Sequence, residues 1–167
     1  MNFIFLTLGA GLLCAATLAG AAGGESPSPS TGTTPGWSAA GKAETPAVTL
    51  AKAAFAAADY AGAQRTLKAA LASEPGNADL NNLYAYSIRK GANPDMQLVF
   101  THYNEALRID PKHRGAHEYI GEAYLMVNNP AKAKEHLAAL NKICFFSCEE
   151  YEMLKKAIAA YEAKAKQ

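Results

Sequence analysis

Small and apolar residues recur along residues 47–140 in one pattern that is repeated three times. Each copy has a small residue in a first helix, then alanine with a leucine or an aromatic residue in a second helix. The copies comprise Ala51, Ala63, Leu67, Ala70 and Pro75; Ala85, Tyr103, Ala106 and Pro111; and Gly121, Ala133 and Leu137. The spacing from Pro75 to Pro111 is close to the period of about 34 residues that one class of helix–turn–helix repeat uses. The pattern predicts stacked helix pairs and an all-α fold.

Capping signals divide the repeats into individual helices. Asp59 suits a tight turn because its carboxylate accepts hydrogen bonds from the free amides of a following helix. The pairs Asn93-Pro94 and Asn129-Pro130 predict helix starts, with asparagine as the N-cap and proline at the first helical position. The predicted helices cover residues 47–57, 60–72, 78–90, 94–109, 113–127, 130–143 and 148–165.

The last predicted helix is expected to cap the end of the stack. Ser147 and Glu150 have the spacing of a capping box, in which each side chain accepts a hydrogen bond from a backbone amide at the helix start. The apolar residues that follow at helical spacing are Tyr151, Leu154, Ile158 and Tyr161. A repeat stack needs such a helix because its last pair would otherwise expose an apolar face to water.

Residues 1–45 differ in composition from the helical part. Residues 1–21 are predicted to be a signal peptide, since an uncharged apolar run precedes the small residues at 19–21. A retained membrane anchor is the alternative. Cleavage near Ala21 would remove Cys14 and make the mature protein periplasmic or secreted, with no stable membrane insertion. Residues 22–45, which include Trp37, are predicted to be a flexible linker rich in Gly, Ser, Pro and Thr, and residues 46–167 to be the folded domain.

Charge and motif content argue against several functional classes. The formal net charge is +1, and the lack of a basic cluster argues against nucleic-acid binding. No Ser–His–Asp arrangement, phosphate-binding glycine loop or paired-carboxylate motif stands out, so we expect neither enzymatic activity nor a cofactor. His113 and His117 are one helical turn apart, a spacing seen in metal sites. No third ligand is fixed nearby, so we expect both histidines to face solvent.

The register of small residue, alanine, aromatic residue, alanine and proline in residues 47–145 resembles that of the tetratricopeptide repeat (TPR) family. The segments 86–90 and 144–151 also resemble small exported bacterial TPR proteins of undefined function. The resemblance implies a right-handed superhelical stack of about three helix pairs, with a capping helix and a concave groove. In this family, ligands usually lie against the first helix of each pair.

The resemblance also implies which residues line that groove. They are Lys52, Phe55, Asn82, Tyr86, Arg89, Lys90, Glu118, Glu122 and Leu125. Some TPR domains bind a C-terminal carboxylate through basic residues and asparagines at set positions, but Val48, Leu83 and Tyr119 occupy three of these positions here. We therefore expect an extended peptide or partner protein of mixed charge rather than a chaperone's C-terminus.

Cys144 and Cys148 remain after signal removal, and an even number of cysteines in an exported protein predicts a disulfide. A redox-active pair and a pair that binds a soft metal are the alternatives. The leading expectation is a non-catalytic protein–protein interaction module that acts as a scaffold or assembly factor in the cell envelope. The alternative is a redox- or metal-handling envelope factor that uses the two cysteines. Self-association into an oligomer is a third possibility.

Overall fold

The computed structural model describes residues 44–166, and every regular element in this range is an α-helix. The helices are α1 (Pro46–Ala56), α2 (Tyr60–Ser73), α3 (Ala78–Arg89), α4 (Met96–Ile109), α5 (Arg114–Met126), α6 (Pro130–Ile143) and α7 (Glu149–Lys164). The predicted all-α class is thus confirmed for the described residues. The predicted signal peptide, Trp37 and most of the predicted linker lie outside them. Within residues 44–166, no helix is both long enough and apolar enough to cross a membrane.

Polar N-cap residues start six of the seven helices. Each N-cap side chain accepts a hydrogen bond from a first-turn amide that has no partner within the helix. These residues are Thr45, Asp59, Asn77, Asp95, His113 and Asn129. The predicted caps Asp59 and Asn129 are confirmed, and every predicted helix is present with its ends within two residues of their predicted positions.

The predicted start of α4 at Asn93-Pro94 is wrong. The helix begins two residues later, because Asp95 Oδ1 accepts a hydrogen bond from Leu98 N at 3.1 Å and caps the first turn. Asn93 and Pro94 remain in the turn that connects α3 to α4. Aspartate and asparagine are comparable N-cap residues, and the helix uses the one further along the chain.

The predicted capping box at α7 is also wrong. Cys148 is the N-cap residue, and its side chain makes no capping hydrogen bond. Ser147 Oγ instead donates to Glu152 Oε1 at 2.6 Å. The Glu150 carboxylate, which the box requires, forms an ion pair with Arg114 Nε of α5 at 3.5 Å.

The helices pack in a regular order. Each helix contacts the next one in the chain, and the odd-numbered helices also contact one another in the order α1, α3, α5 and α7. Among the described residues, the even-numbered helices do not contact one another. The odd-numbered helices therefore form a continuous layer, against which α2, α4 and α6 pack.

Small residues allow the helices of this layer to approach closely. Ala51 and Ala85 are both fully buried, as their predicted role in close helix packing requires. Gly121 supports the contact between α5 and α7, since a Cβ atom on it would lie 2.6 Å from Leu154 Cδ2. Leu154 belongs to a second core cluster, with Ala133, Leu140 and Ile158.

His113 and His117 are buried, at 3% and 9% exposure, so the expectation that they face solvent is wrong. His113 is an N-cap residue, and its Nε2 lies 3.1 Å from Asp79 Oδ1 of α3. His117 Nε2 donates to the carbonyl oxygen of Pro111 at 3.1 Å, and its Nδ1 lies 3.0 Å from His136 Nδ1 of α6. Both histidines are therefore structural links between helices.

The preceding helix pair makes two contacts equivalent to those of His117 with different residue types. Asn81 of α3 donates to the carbonyl oxygen of Pro75 at 3.0 Å, as His117 does to that of Pro111. Its Oδ1 lies 2.8 Å from Nδ1 of His102 on α4. Asn81 and His102 thus correspond to His117 and His136, which shows that the repeat extends to polar side-chain contacts.

We predict that Gly121→Ala destabilises the protein. The added methyl group must displace the buried Leu154 side chain, and this overpacking should outweigh the gain in helix propensity and leave a net loss of about 1–2 kcal/mol in the free energy of unfolding. Urea denaturation of the parent and the variant measures the difference. Gly76→Ala is the matched control, since no atom lies within 4 Å of a Cβ at this site. Equal losses in the two variants would contradict the proposed contact.

A second prediction concerns the buried histidine pair. Burial, followed by the proximity of His117, lowers the pKa of His136 to about 4, and burial likewise lowers the pKa of His117. The unfolded chain therefore takes up protons before the folded chain does, and stability is lost as the pH falls below about 6.5. Replacing His136 with glutamine should remove part of this loss, about 1 kcal/mol at pH 5 after allowance for solvent screening. The free energy of unfolding is measured for the parent and the variant from neutral to acidic pH. Equal decreases in the two proteins would disprove the prediction.

Candidate functional site

A buried arginine lies at the centre of the odd-helix layer. The Arg89 side chain is 6% exposed, and its Nη2 forms an ion pair with Glu122 Oε2 of α5 at 2.7 Å. Arg89 Nε donates to Tyr103 Oη of α4 at 3.3 Å. A single guanidinium group thus contacts polar atoms from two other helices, and its charge is neutralised by the neighbouring odd-numbered helix.

Aromatic rings surround this guanidinium group. Arg89 Cζ lies 5.4 Å from the ring centroid of Tyr86 and 5.7 Å from that of Tyr119. These two rings are 4.8 Å apart, and the Phe55 ring of α1 packs edge-on against Tyr86 at 5.0 Å. The row of rings therefore crosses α1, α3 and α5. We call Phe55, Tyr86, Arg89, Tyr119 and Glu122 the Arg89 cluster.

The pKa of Arg89 and that of its hydrogen-bond partner Tyr103 are both raised. Burial on its own would lower the pKa of Arg89, but Tyr103 and Glu122 more than compensate and raise it. Burial raises the pKa of Tyr103 above its usual value, despite the opposing effect of Arg89. Arg89 is therefore a permanent cation and Tyr103 a neutral hydrogen-bonding group at physiological pH.

The residues predicted to line a groove fall into three groups. Phe55, Tyr86, Arg89 and Glu122 come together in the Arg89 cluster. Lys52 forms an ion pair with Glu44, Lys90 is exposed at the end of α3, and Leu125 packs beside the second core cluster under α7. Asn82 and Glu118 are buried polar residues with oxygen or nitrogen atoms that lack hydrogen-bond partners among the described residues.

Glu118 is the most perturbed carboxyl group at this site. It is 2% exposed, and burial, Glu122 and Glu150 raise its pKa to about 9, although Arg89 opposes them. Glu118 is therefore a neutral carboxylic acid at pH 7. Asn82 is fully buried on α3, and neither atom of its side-chain amide has a hydrogen-bond partner in the described part of the chain.

Tyr103 and Tyr119 belong to the site but were not predicted as site residues. Tyr103 is fully buried in the core, yet its hydroxyl group reaches Arg89. Tyr119 was considered only as a residue that departs from the carboxylate-binding pattern. The sequence signal for Tyr119 is its position two residues before the small residue Gly121. Leu83 stands at the same position before Ala85 on α3.

The two cysteines are paired in the structure, as the sequence analysis expected. Cys144 ends α6 and Cys148 precedes α7, and their Cα atoms are 5.8 Å apart, within the usual range for a disulfide. The loop that they close exposes Phe145 and Phe146, at 94% and 81%. The bridge therefore joins the end of α6 to the start of α7.

No cluster of three or more His, Cys, Asp or Glu side chains in residues 44–166 has the arrangement of a metal site. The chain matches no protein-family model, and no curated protein is similar enough to match it. The properties of the site are therefore inferred from its own geometry.

We predict that replacing both cysteines with serine lowers stability without unfolding the protein. Closing so short a loop restricts the unfolded chain and contributes about 2 kcal/mol in the chain-entropy account. Chemical denaturation of the parent and the double variant under non-reducing conditions measures this loss. Alkylation of the unreduced parent checks the bridge itself, since a stable disulfide leaves no thiol to react. Complete alkylation would contradict it.

Proposed function

We propose that the protein is a non-catalytic interaction module that binds an extended peptide segment of a partner protein. The single observation that carries this proposal is the Arg89 cluster. Rings from three successive odd-numbered helices form one row with a buried ion pair beside it. Aromatic and arginine side chains are the residues that most often dominate protein–protein binding energy.

The proposed architecture is a right-handed TPR superhelix of about three helix pairs with α7 as its cap. Two features support it. The odd-numbered helices contact one another in chain order, as the first helices of stacked TPR pairs do. Equivalent polar contacts also recur in successive pairs, at Asn81 and at His117. In this architecture the Arg89 cluster lies in the concave groove.

The chemistry of the groove favours a peptide of mixed character. Phe55 and Tyr86 are half-buried and offer apolar contact area, while Lys52 and Glu122 add charges of both signs. The carboxylate-binding pattern of some TPR domains is not satisfied, because Val48, Leu83 and Tyr119 are buried where polar residues would be needed. The proposed ligand is therefore an internal segment of a partner rather than its free C-terminus.

The proposed setting is the cell envelope, where the module would act as a scaffold or assembly factor. This part of the proposal rests on the apolar run and small residues of the N-terminal sequence and on the cysteine pair.

We predict that short peptides selected from a random library against the parent protein depend on Tyr86. Truncating an aromatic anchor costs more than about 1 kcal/mol at a binding hot spot, so Tyr86→Ala should bind them at least about fivefold more weakly. Fluorescence anisotropy with the selected peptides measures the affinities. Circular dichroism and thermal melting verify that the variant is folded.

Phe146→Ala is the matched control for this experiment, because it also removes an aromatic ring but from the exposed disulfide loop. It should bind the selected peptides with the affinity of the parent. Equal binding by Tyr86→Ala and the parent would refute the assignment of the groove. A library that yields no binding peptide would refute peptide binding itself.

A further inference from the structure

Glu118 and Glu122 form an acidic turn on α5. They are one helical turn apart, so their side chains lie on the same side of the helix. Glu118 is 2% exposed, and its Oε2 has no hydrogen-bond partner in residues 44–166. The Glu122 side chain is 26% exposed. A ligand group that contacts Glu122 is therefore also near an unused, buried carboxyl oxygen.

The charges around this acidic turn do not balance when Glu118 is ionised. Arg89 of α3 pairs with Glu122 at 2.7 Å, and Arg114 of α5 pairs with Glu150 of α7 at 3.5 Å. Within the described residues, no cation forms an ion pair with Glu118. A buried carboxylate without a counterion is unfavourable, so Glu118 holds its proton instead.

A second buried group on the neighbouring helix also lacks partners. Asn82 of α3 precedes Glu118 by the same interval that separates Asn81 from His117, which make equivalent contacts. Neither amide atom of Asn82 has a hydrogen-bond partner among residues 44–166, and the side chain is fully buried. Equivalent positions on two packed odd-numbered helices therefore both offer polar atoms that a bound ligand would satisfy.

We propose that the acidic turn receives a cationic side chain, lysine or arginine, of the bound peptide. This cation becomes the counterion that Glu118 lacks, and the Glu118 carboxylic acid loses its proton to the solvent as the ion pair forms. One proton is released per peptide bound, and the ligand keeps its charge. The inference rests on the proposed peptide-binding function and specifies what the groove selects.

The surrounding charges explain why the ligand group is a cation. Glu118 is near Glu122 of its own helix and near Glu149 and Glu150 of α7, with Arg89 as an opposing cation. An anionic ligand group would be repelled by these carboxylates. A neutral donor would satisfy Oε2 but would leave Glu118 protonated. Lysine and arginine side chains carry donors only, which matches a carboxylate that only accepts.

Isothermal titration calorimetry with the strongest library-selected peptide, acetylated and amidated at its ends, tests the proposal. Titrations at one neutral pH are carried out in phosphate and in Tris buffer. The difference between the two binding heats, divided by the difference between the ionisation enthalpies of the buffers, gives the number of protons released. We expect close to one proton per peptide. The affinity should rise by nearly tenfold per pH unit between about pH 6 and pH 8, because binding then requires deprotonation of Glu118.

Two substitutions serve as matched controls. Glu118→Gln keeps the shape of the side chain but cannot ionise, so its peptide complex should release no proton and lose the pH dependence. A peptide with norleucine in place of its lysine should also release no proton from the parent protein. Proton release that persists in Glu118→Gln would overturn the assignment to this residue.

The two proposals fail in different ways. Peptides that bind in a Tyr86-dependent manner without proton release, or that contain no lysine or arginine, would overturn the cation site and leave the groove intact. Loss of all peptide binding would remove both. The carboxyl carbon of Glu118, followed by NMR without any peptide, is an independent measurement. It should report a protonated group at pH 7, and an ionised group would overturn the proposal.

Discussion

The rest of the site depends on one constraint, which is that the buried charge of Arg89 must be neutralised. A guanidinium group at 6% exposure requires an anion, and Glu122 on the next odd-numbered helix supplies one at 2.7 Å. The hydroxyl group of Tyr103 then fixes the guanidinium plane from α4. Three helices are held in register by one side chain. Removing one partner of an enclosed pair costs about 3–5 kcal/mol, and the partial exposure of Glu122 places this pair near the lower end.

Successive helix pairs share polar contacts more closely than they share residue types. Asn77 and His113 are both N-caps, and Asn81 and His117 both bond to the carbonyl oxygen of a proline at the start of the turn. Asparagine and histidine can replace each other because each side chain has one atom that accepts a hydrogen bond and a nitrogen that donates one. Two helix pairs with little identity at these positions therefore have the same internal scaffold. This scaffold packs α3 against α5, where the rings of Tyr86 and Tyr119 lie 4.8 Å apart.

Sequence reasoning predicted the helices well and the polar interior poorly. Helix bounds follow from local signals such as Asp59 and Asn129, whose hydrogen bonds are to amides three residues away. Apart from the start of α4, which the local cap Asp95 decides, the failures involve partners from other elements. Glu150 has the spacing of a capping residue, but Arg114 of α5 takes its carboxylate. His117 looks solvent-facing until His136 of α6 and the Pro111 carbonyl group enclose it. The groove residues named from the resemblance did include both partners of the central ion pair, but their burial depends on packing that spacing alone does not define.

The Glu118 carboxyl group, which has no counterion among the described residues, is more informative than the ion pairs beside it. Arg89 and Arg114 both have carboxylate partners on other helices, so a structural role in linking helices accounts for them. A glutamine or leucine at position 118 would pack in similar volume without requiring a proton to be held by a buried acid, and it would avoid a penalty that grows as the pH rises toward 9. A group that weakens the folded state in this way is typical of a binding site rather than of a scaffold, because stability is often lower where a ligand must supply missing contacts. In the proposed binding mode, the feature that costs the fold stability is also the one that gives the groove a preference between ligands. We therefore expect selectivity at α5 and not at the aromatic row, which would accept many side chains.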